Sequence, residues 1–424
     1  MESDKEPSQP AEPVQGVNPS ASYQTPLSKT SPDAELRSSV TPPPKVPKYR
    51  SRRVIIAVVV LVLALGAFVA FLVATTQSKA ATKAAQSAIR VVKIGLLEPT
   101  SGDNVTIGND RKRSIELAKK DLNLQNVKIE VVVRDSECDA TAAVKGAKEL
   151  INDEHVVAII GDDCSTSTLA AAKVTDPAHV VLISPAATSA ALTAAGDYVF
   201  RTVASDVEQG KFAATVLHKD AISKLAIIHE DGAYGEGLAN SVTQNFVALG
   251  GTVVDTQVFP QSSIDVVTQL QHIKAQNPQA IYMISGDYSS DTAVFLKINE
   301  LGLKAALYGS EALKQASWIN DAGSVVEGLW ITSIPDGTNT FVDHYRSEYN
   351  SEPNDYIANS YDAYTALALT IDSGANTGEQ IKNALYKTSF TGASQATIKF
   401  DKNGDVSGSY EVVVVKNGKF ELAN

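Results

Sequence analysis

The chain has 424 residues, of which 37 are Lys or Arg and 48 are Asp or Glu, giving a formal net charge of −11. This acidic balance argues against nucleic-acid binding. The six His and two Cys include no pair with the spacing of metal ligands, so no metal site is predicted. Charge is uneven along the chain: residues 1–90 hold 11 basic and 6 acidic residues, whereas residues 91–424 hold 26 and 42. The N-terminal part is therefore expected to differ in kind from the rest.

The first 90 residues have the pattern of a tail, a membrane span and a linker. Residues 1–53 are rich in Pro, Ser, Glu and Gln, which predicts a disordered tail. Residues 54–75 carry no charge and are long enough for a transmembrane helix, and residues 76–90 are predicted to be a linker. Five Lys or Arg precede the span within residues 45–53, against two within 76–83, so the positive-inside rule predicts a cytoplasmic N-terminus. The chain is then a single-pass protein of the cell membrane with residues 76–424 outside.

A cleaved signal peptide is the alternative interpretation of this segment, and the small residues 80–88 support it. The apolar run is longer than the usual signal-peptide core, and the region before it is very long. Both features favour an uncleaved anchor.

From residue 90 onwards, apolar β-rich runs alternate with helical segments. The runs lie at 91–97, 127–133, 156–160, 180–183, 225–228, 253–258, 280–284 and 329–331, and the helical segments at 111–122, 140–152, 207–218, 238–249 and 292–301. Such alternation is typical of doubly wound parallel sheets, and about 330 residues are too many for one small sheet. Two α/β lobes are therefore predicted. Residues 411–422 have instead the pattern of a β-hairpin with an Asn417-Gly418 turn.

The stretch 158–189 places hydroxylated residues at a predicted ligand edge. Two short apolar runs flank a helix that begins near Ser165, and such a βαβ unit has parallel strands whose carboxyl ends share one edge. Open α/β sheets bind ligands at that edge. The hydroxylated residues there are Ser165, Thr166, Ser167, Thr168, Ser184, Thr188 and Ser189. Together with the helix N-terminus they can hold a small carboxylate, although Ser and Thr also cap ordinary helices.

Each of the two cysteines follows a predicted strand end by a few residues. Cys138 and Cys164 lie in the part of the chain predicted to be outside the membrane, where thiols oxidise. A disulfide between them is predicted. It would hold the Ser165 loop against its neighbour.

Six runs then occur in a particular order. They are IGLLEPTSG (94–102), RDSECDATAAV (134–144), AIIGDDCSTST (158–168), ISPAATSAALT (183–193), IIHEDGAYGEGLANSV (227–242) and FDKNGDVSGSYEVVVVKNGKF (400–420). Together they resemble the type I periplasmic, or solute-binding, proteins, specifically the leucine/isoleucine/valine-binding branch of the ABC transporter substrate-binding proteins. Both cysteines also stand where the enteric members have theirs. The resemblance covers residues 91–424.

The resemblance implies two α/β lobes, joined by three crossovers, that close on a ligand in the cleft between them. The crossings are expected near Ser205, Pro335 and Ser407. Lobe 1 is then about 91–205 plus 336–407, and lobe 2 about 206–335 plus 408–424.

The resemblance also assigns roles to individual residues of the cleft. The N–H and hydroxyl of Ser165 are expected to bind an amino-acid carboxylate, with the Ala186 carbonyl and the Thr188 hydroxyl contributing to the ammonium and carboxylate. Glu311 is expected to complete the ammonium site, and Tyr234 to line the closed cleft. Hydroxyls and a helix N-terminus for the anion, with a carboxylate for the cation, are chemically consistent with that ligand.

Two positions depart from the family pattern. Asp287 stands where the family has a Tyr that meets the carboxylate, with Tyr288 as a possible substitute one residue on, and Ile107 stands where an aromatic usually covers the side-chain pocket. A carboxylate beside a ligand carboxylate is unfavourable, so Asp287 is expected to point away or to meet a positive group. Leucine specificity therefore does not follow, and a ligand with a basic side chain is a hypothesis.

The sequence thus predicts a membrane-anchored extracytoplasmic solute-binding protein that captures an amino acid, branched-chain or related, for an ABC permease. No enzymatic activity and no cofactor are expected, since no G-x-S-x-G motif is present and no His has a visible carboxylate partner. Two alternatives stay open. One is an amino-acid or small-ligand sensor that signals through a partner receptor, and the other is an enzyme or adhesion module built on this fold.

Overall fold

The computed structural model describes residues 52–85, 89–102 and 104–423. The chain divides into two units, one up to Ala80 and one from Ala81 to Asn424. Helix α1 (Arg52–Ala85) contains the stretch Ile56–Thr76, which has a mean hydropathy of 3.2 and is not buried in protein. A stretch of this length and composition suits a membrane span and equally a signal sequence, so the anchor and its orientation stay predictions. Apart from its last two residues, the predicted tail lies outside the described residues.

The second unit alternates strands and helices. Its strands are β1 (Arg90–Glu98), β2 (Val127–Asp135), β3 (Ala158–Gly161), β4 (Val181–Ser184), β5 (Val199–Arg201), β6 (Lys224–Glu230), β7 (Thr252–Phe259), β8 (Ala280–Ile284), β9 (Ala306–Gly309), β10 (Trp330–Ser333), β11 (Ser389–Phe390), β12 (Ile398–Lys399), β13 (Glu411–Lys416) and β14 (Lys419–Leu422). Its helices are α2 (Val105–Asp121), α3 (Ala140–Asn152), α4 (Ser165–Thr175), α5 (Asp206–Lys219), α6 (Ala233–Ala248), α7 (Val267–Gln276), α8 (Tyr288–Glu300), α9 (Ala316–Ala322), α10 (Asn339–Tyr349), α11 (Ile357–Asp372) and α12 (Gly378–Leu385).

These elements build two layered lobes, each around one sheet. The first sheet has the order β2-β1-β3-β4-β5 and is parallel throughout. The second has the order β14-β13-β10-β9-β8-β6-β7 and is parallel except for β13, which runs antiparallel to β10 and β14. Helices α2–α4 and α10–α12 share hydrophobic clusters with the first lobe, and α5–α9 with the second. The predicted α/β class is confirmed, whereas the predicted lobe boundaries stay predictions.

The central strands of the first sheet explain why continuous apolar runs in the sequence predicted strands correctly. Ile159 and Ile160 of β3 and Leu182 and Ile183 of β4 are completely buried, because helices cover both faces of the sheet. A strand buried on both faces is a continuous apolar run without alternation. The predicted βαβ unit is present, with its strands shifted by up to two residues, and the hairpin of β13 and β14 is also present.

Helix α2 begins at Val105, six residues before its predicted start at residue 111. Its first turn contains three β-branched residues and Gly108, which are weak helix formers. Gly108 packs so closely on the preceding loop that a Cβ there would lie 2.0 Å from the carbonyl oxygen of Pro99. Tertiary packing therefore overrides propensity, and it places Ile107 in the first turn of the helix. The short strands β5 and β9 were not predicted.

Candidate functional site

The carboxyl ends of β3 and β4 converge at one edge of the first sheet, as the βαβ pattern predicts. Ser165 is the first residue of α4, directly after the loop that leaves β3, and it is 4 % exposed. Thr188 lies in the loop after β4 and is 2 % exposed. The backbone N–H of Ser189 donates a hydrogen bond to Ser165 Oγ at 3.2 Å, which joins the two loops.

Both loops line a cavity of about 310 Å³ to which both lobes contribute. The first-lobe residues are Asn104, Ile107, Arg111, Glu137, Cys138, Asp139, Asp163, Cys164, Ser165, Thr166, Ala186, Thr188 and Tyr356, and the second-lobe residues are Glu230, Tyr234, Gln261, Ser262, Gly286, Asp287, Glu311 and Ala312. The volume is at the lower end of the range of small-molecule sites. The cavity is therefore suited to a ligand with few atoms.

Of the eight predicted ligand residues, seven line this cavity. The exception is Tyr288, which is 40 % exposed and donates its hydroxyl proton to Asp321 on the surface. Tyr288 therefore does not substitute for the family Tyr, and that part of the sequence prediction is wrong. The predicted disulfide is confirmed: Cys138 and Cys164 are bonded, with their Cα atoms 5.4 Å apart, at the cavity wall.

The structure separates the hydroxyls of the Ser/Thr cluster by what they bind. Ser167 and Thr168 donate back to the Cys164 carbonyl, and Ser184 donates to the Asp162 carbonyl, so these three hold the loop. The N-cap position of α4 is Cys164, which makes no side-chain capping bond. Ordinary capping of α4 therefore does not account for the hydroxyls. Ser165 and Thr188 remain at the cavity beside the N-terminus of α4, where anions are favoured.

A buried carboxylate stands on the second-lobe side. Glu311 is 1 % exposed, and its carboxylate accepts a hydrogen bond from Tyr356 Oη at 2.9 Å and another from Gln209 Nε2. Burial raises the pKa of Glu311. Asp206 is also fully buried, and burial followed by the charge of Glu311 raises its pKa well above the usual range. Neither carboxylate forms an ion pair within the described part of the chain. Of the two, Glu311 lines the cavity, so a ligand cation there would meet one unpaired acidic group.

The sequence analysis missed Tyr356, which comes from the first lobe just before α11. Its φ of 64° is left-handed, and this backbone turn directs the ring to the cavity, where Arg111 lies 5.4 Å from the ring centroid. Pro353 indicates a turn before the helix. Nothing in the local sequence, however, shows that the Tyr356 ring faces the cavity.

Asp287 does not meet a cationic side chain. It is the N-cap of α8, and its carboxylate accepts hydrogen bonds from Ser290 N and Ser262 Oγ, both at 2.9 Å. Its charge is balanced by the positive end of the helix dipole, an arrangement that the sequence analysis did not include. Glu230, at the end of β6, was also missed, although its position at a carboxyl strand end was the available signal.

The two lobes contact each other beside the cavity. Ala233 of the second lobe donates its N–H to Thr166 Oγ1 at 3.1 Å, and its carbonyl accepts from Ser189 Oγ at 2.9 Å. Lys314 of the second lobe lies 3.4 Å from the carboxylate of Asp355. The two lobes therefore touch at the rim of the cavity.

A third acidic group, Glu98, is buried beneath the first-lobe loops. Its protonation is expected to make the stability of the fold depend on pH. Both its carboxylate oxygens are buried without a hydrogen-bond partner among the described residues. Burial, and then the charges of Asp163 and Asp162, raise its pKa well above the usual range. The folded state thus keeps a proton that the unfolded state has released, so stability falls as pH rises above about 4 through the folded pKa. We expect the free energy of unfolding to decrease from pH 5 to pH 8.

Denaturant titrations of the wild type, Glu98→Gln and Glu116→Gln over that pH range test this expectation. Glutamine at 98 removes this group's titration and should make the dependence shallower, while the other buried acidic groups with raised pKa keep their contributions. Glu116 is exposed and serves as the matched control. A slope that is equal in all three proteins would contradict the assignment to Glu98.

The fold and this site define a class: a two-lobed α/β binding protein with a small-molecule cavity between the lobes. The family model "Periplasmic binding protein" matches residues 91–419, and the chain belongs to that family. The Leu/Ile/Val-binding protein of Escherichia coli K12 is 27 % identical over 330 residues, which cover 75 % of this chain and 88 % of that protein. The resemblance to the leucine/isoleucine/valine-binding branch is confirmed.

Two solved structures of amino-acid binding proteins superpose on this chain and support the same family and fold. A leucine binding protein, LivK, from Thermotoga maritima superposes with a TM-score of 0.73 at 28 % identity and covers 78 % of this chain and 98 % of its own. The branched-chain amino acid transporter substrate binding protein LivJ from Streptococcus pneumoniae, solved in complex with isoleucine, gives a TM-score of 0.71 at 25 % identity, with 78 % and 98 % covered.

Proposed function

We propose that this chain is an extracytoplasmic solute-binding protein that captures an α-amino acid between its two lobes. The observation that carries the proposal is the polarity of the cavity. Ser165 and Thr188 stand beside a helix N-terminus, whereas Glu311 stands unpaired in the second lobe. A zwitterion matches this arrangement, because each of its charged groups meets its complement on closure.

The carboxylate is proposed to bind the Ser165 N–H and hydroxyl together with the Thr188 hydroxyl. The ammonium is proposed to bind Glu311 and the Ala186 carbonyl. Tyr234 and Ile107 line the remaining walls. Ligand binding stabilises the closed state because its two ends interact with different lobes. No bond is made or broken in this scheme, so the protein acts by capture alone.

The partner proposed for the closed form is an ABC permease in the membrane to which α1 tethers the chain. The relatives named above support this, since one of them is described as part of a branched-chain amino acid transporter. Cells that lack the chain should lose uptake of its amino acid, and the wild-type chain but not Ser165→Ala should restore it. Restored uptake with Ser165→Ala would contradict the delivery role.

A thermal-shift screen of the full chain in detergent tests the binding proposal. The panel comprises the twenty amino acids, small dicarboxylates, polyamines and nucleosides. A ligand at about 100 times its Kd stabilises the folded state by about 2.7 kcal/mol, a readable shift in Tm. We expect an amino acid to give that shift.

Ser165→Ala and Thr188→Ala should then each weaken binding by roughly 10- to 100-fold, because a hydrogen bond to a charged group contributes about 1.5–3 kcal/mol. Ser324→Ala, at an exposed position away from the cavity, is the matched control. If nucleosides alone raise Tm, or if nothing in the panel does, the amino-acid proposal is wrong.

A further inference from the structure

The second-lobe wall of the cavity carries a carboxylate that the recognition of a zwitterion leaves unused. Glu230, at the end of β6, lines the cavity and is 6 % exposed. Its Oε1 accepts from Gln261 Nε2 at 3.2 Å and its Oε2 from Gly286 N at 3.1 Å. These contacts fix the carboxylate in place, but neither donor carries a charge.

We propose that Glu230 binds a cationic group on the ligand's side chain, so that the preferred ligand is a basic α-amino acid such as lysine, ornithine or arginine. This inference rests on the proposed function. It adds a second cationic subsite, separate from the ammonium site at Glu311.

Of the buried acidic residues described around the cavity, Glu230 is left without a balancing charge, because Glu311 is assigned to the α-ammonium, while Glu137 is exposed to solvent. Asp163 is paired with Arg111, the one cationic side chain among the described cavity residues, at 2.9 Å. Asp139 caps α3 and Asp287 caps α8, so each is balanced by a helix N-terminus. Glu230 has no such partner.

A buried acidic group behind this wall strengthens the argument. Asp291 lies one helical turn after Asp287 in α8, is fully buried, and has no hydrogen-bond partner for either carboxylate oxygen among the described residues. Glu230, Asp287 and Asp291 form no ion pair with any described residue. Burial raises the pKa of Glu230 to about 7 despite its two hydrogen bonds, and that of Asp291 well above its usual range, with Asp287 adding to both.

An aliphatic ligand would increase the free-energy cost of burying the Glu230 carboxylate. Its side chain would displace water from Glu230 and supply no charge, and burying an unpaired carboxylate is costly. A side-chain ammonium or guanidinium would instead complete a charge-assisted hydrogen bond with a carboxylate that is already oriented. The wall therefore favours basic ligands and also disfavours their aliphatic analogues.

Calorimetric titration of the full chain in detergent at pH 8 tests this with matched ligand pairs. Lysine against norleucine and ornithine against norvaline differ in the terminal ammonium and little else. We expect the basic member of each pair to bind at least 10-fold more tightly. Equal or tighter binding of norleucine and norvaline would overturn the second subsite while leaving the amino-acid proposal intact. No binding by any of the four or by arginine would also overturn the second subsite, and the screen of the twenty amino acids would then decide the amino-acid proposal separately.

Glu230→Gln supplies the second test. Glutamine keeps an oxygen for Gly286 N, and the lysine preference over norleucine should fall to less than 3-fold. Retained norleucine binding shows that the variant folds. Glu236→Gln, on the exposed surface of α6, is the control and should keep the preference. A Glu230→Gln protein that retains the full preference would overturn the role of Glu230.

Discussion

Replacement of Glu311 by glutamine should weaken amino-acid binding by roughly 30- to 5,000-fold. Removing one partner of a buried charge pair costs about 2–5 kcal/mol, and each 1.4 kcal/mol is tenfold in Kd. The loss should be the same for every α-amino acid that binds, because the proposed contact is to the α-ammonium that all of them share. Isothermal titration of the wild type and the variant with the best ligand from the screen measures it.

The folded state should tolerate this substitution. Glutamine can still accept the hydrogen bond from Tyr356, and Gln209, whose Oε1 has no partner, can rotate its amide to accept from the new NH₂ group. Burial already disfavours the charged form of Glu311, as its raised pKa shows, so the variant should be at least as stable as the wild type without ligand. Glu300→Gln, on the exposed end of α8, is the matched control. Binding within 3-fold of the wild type would show that the ammonium does not lie at Glu311.

Reduction of the disulfide should produce the second large effect. Cys138 and Cys164 close a loop of 26 residues, and on the chain-entropy model the bond stabilises the domain by about 3.5 kcal/mol. The bond also fixes the residue directly before Ser165, so reduction should weaken binding as well as lower Tm. Thermal unfolding and ligand titration with and without dithiothreitol measure both effects.

The chain has only these two cysteines, so the reductant has no other protein disulfide to reduce. The Cys138→Ala/Cys164→Ala double variant should match the reduced wild type and should not respond to dithiothreitol. If oxidised and reduced proteins share one Tm, the bond contributes no stability. Equal affinity in the two forms would show that the Ser165 loop keeps its place without it.

The parts of this protein that local pattern determines were predictable. Parallel strands buried on both faces are apolar runs in the sequence. The runs of β3 and β4 therefore placed Ser165 and Thr188 at the ligand edge from sequence alone. Local pattern failed where packing competes with propensity, as at Gly108 in the first turn of α2. It also failed for β5, which has three residues, and for β9, whose four residues are buried only at the carboxyl end and do not form a continuous apolar run.

The sequence by itself therefore determined the α/β class, the family, the disulfide and the polar residues that follow the strands of the first lobe. Only the tertiary structure decided which charges meet. Tyr356 contacts Glu311 across 45 residues of sequence, Arg111 pairs with Asp163 across 52, and Glu230 finds only uncharged donors in Gln261 and Gly286. Pairing between charges depends on distances that the folded chain sets, whereas strand and helix patterns depend on neighbours in sequence. The sequence raised a basic ligand as a hypothesis through Asp287, whereas the structure shows Asp287 capping α8 and leaves Glu230 as the carboxylate without a charged partner among the described residues.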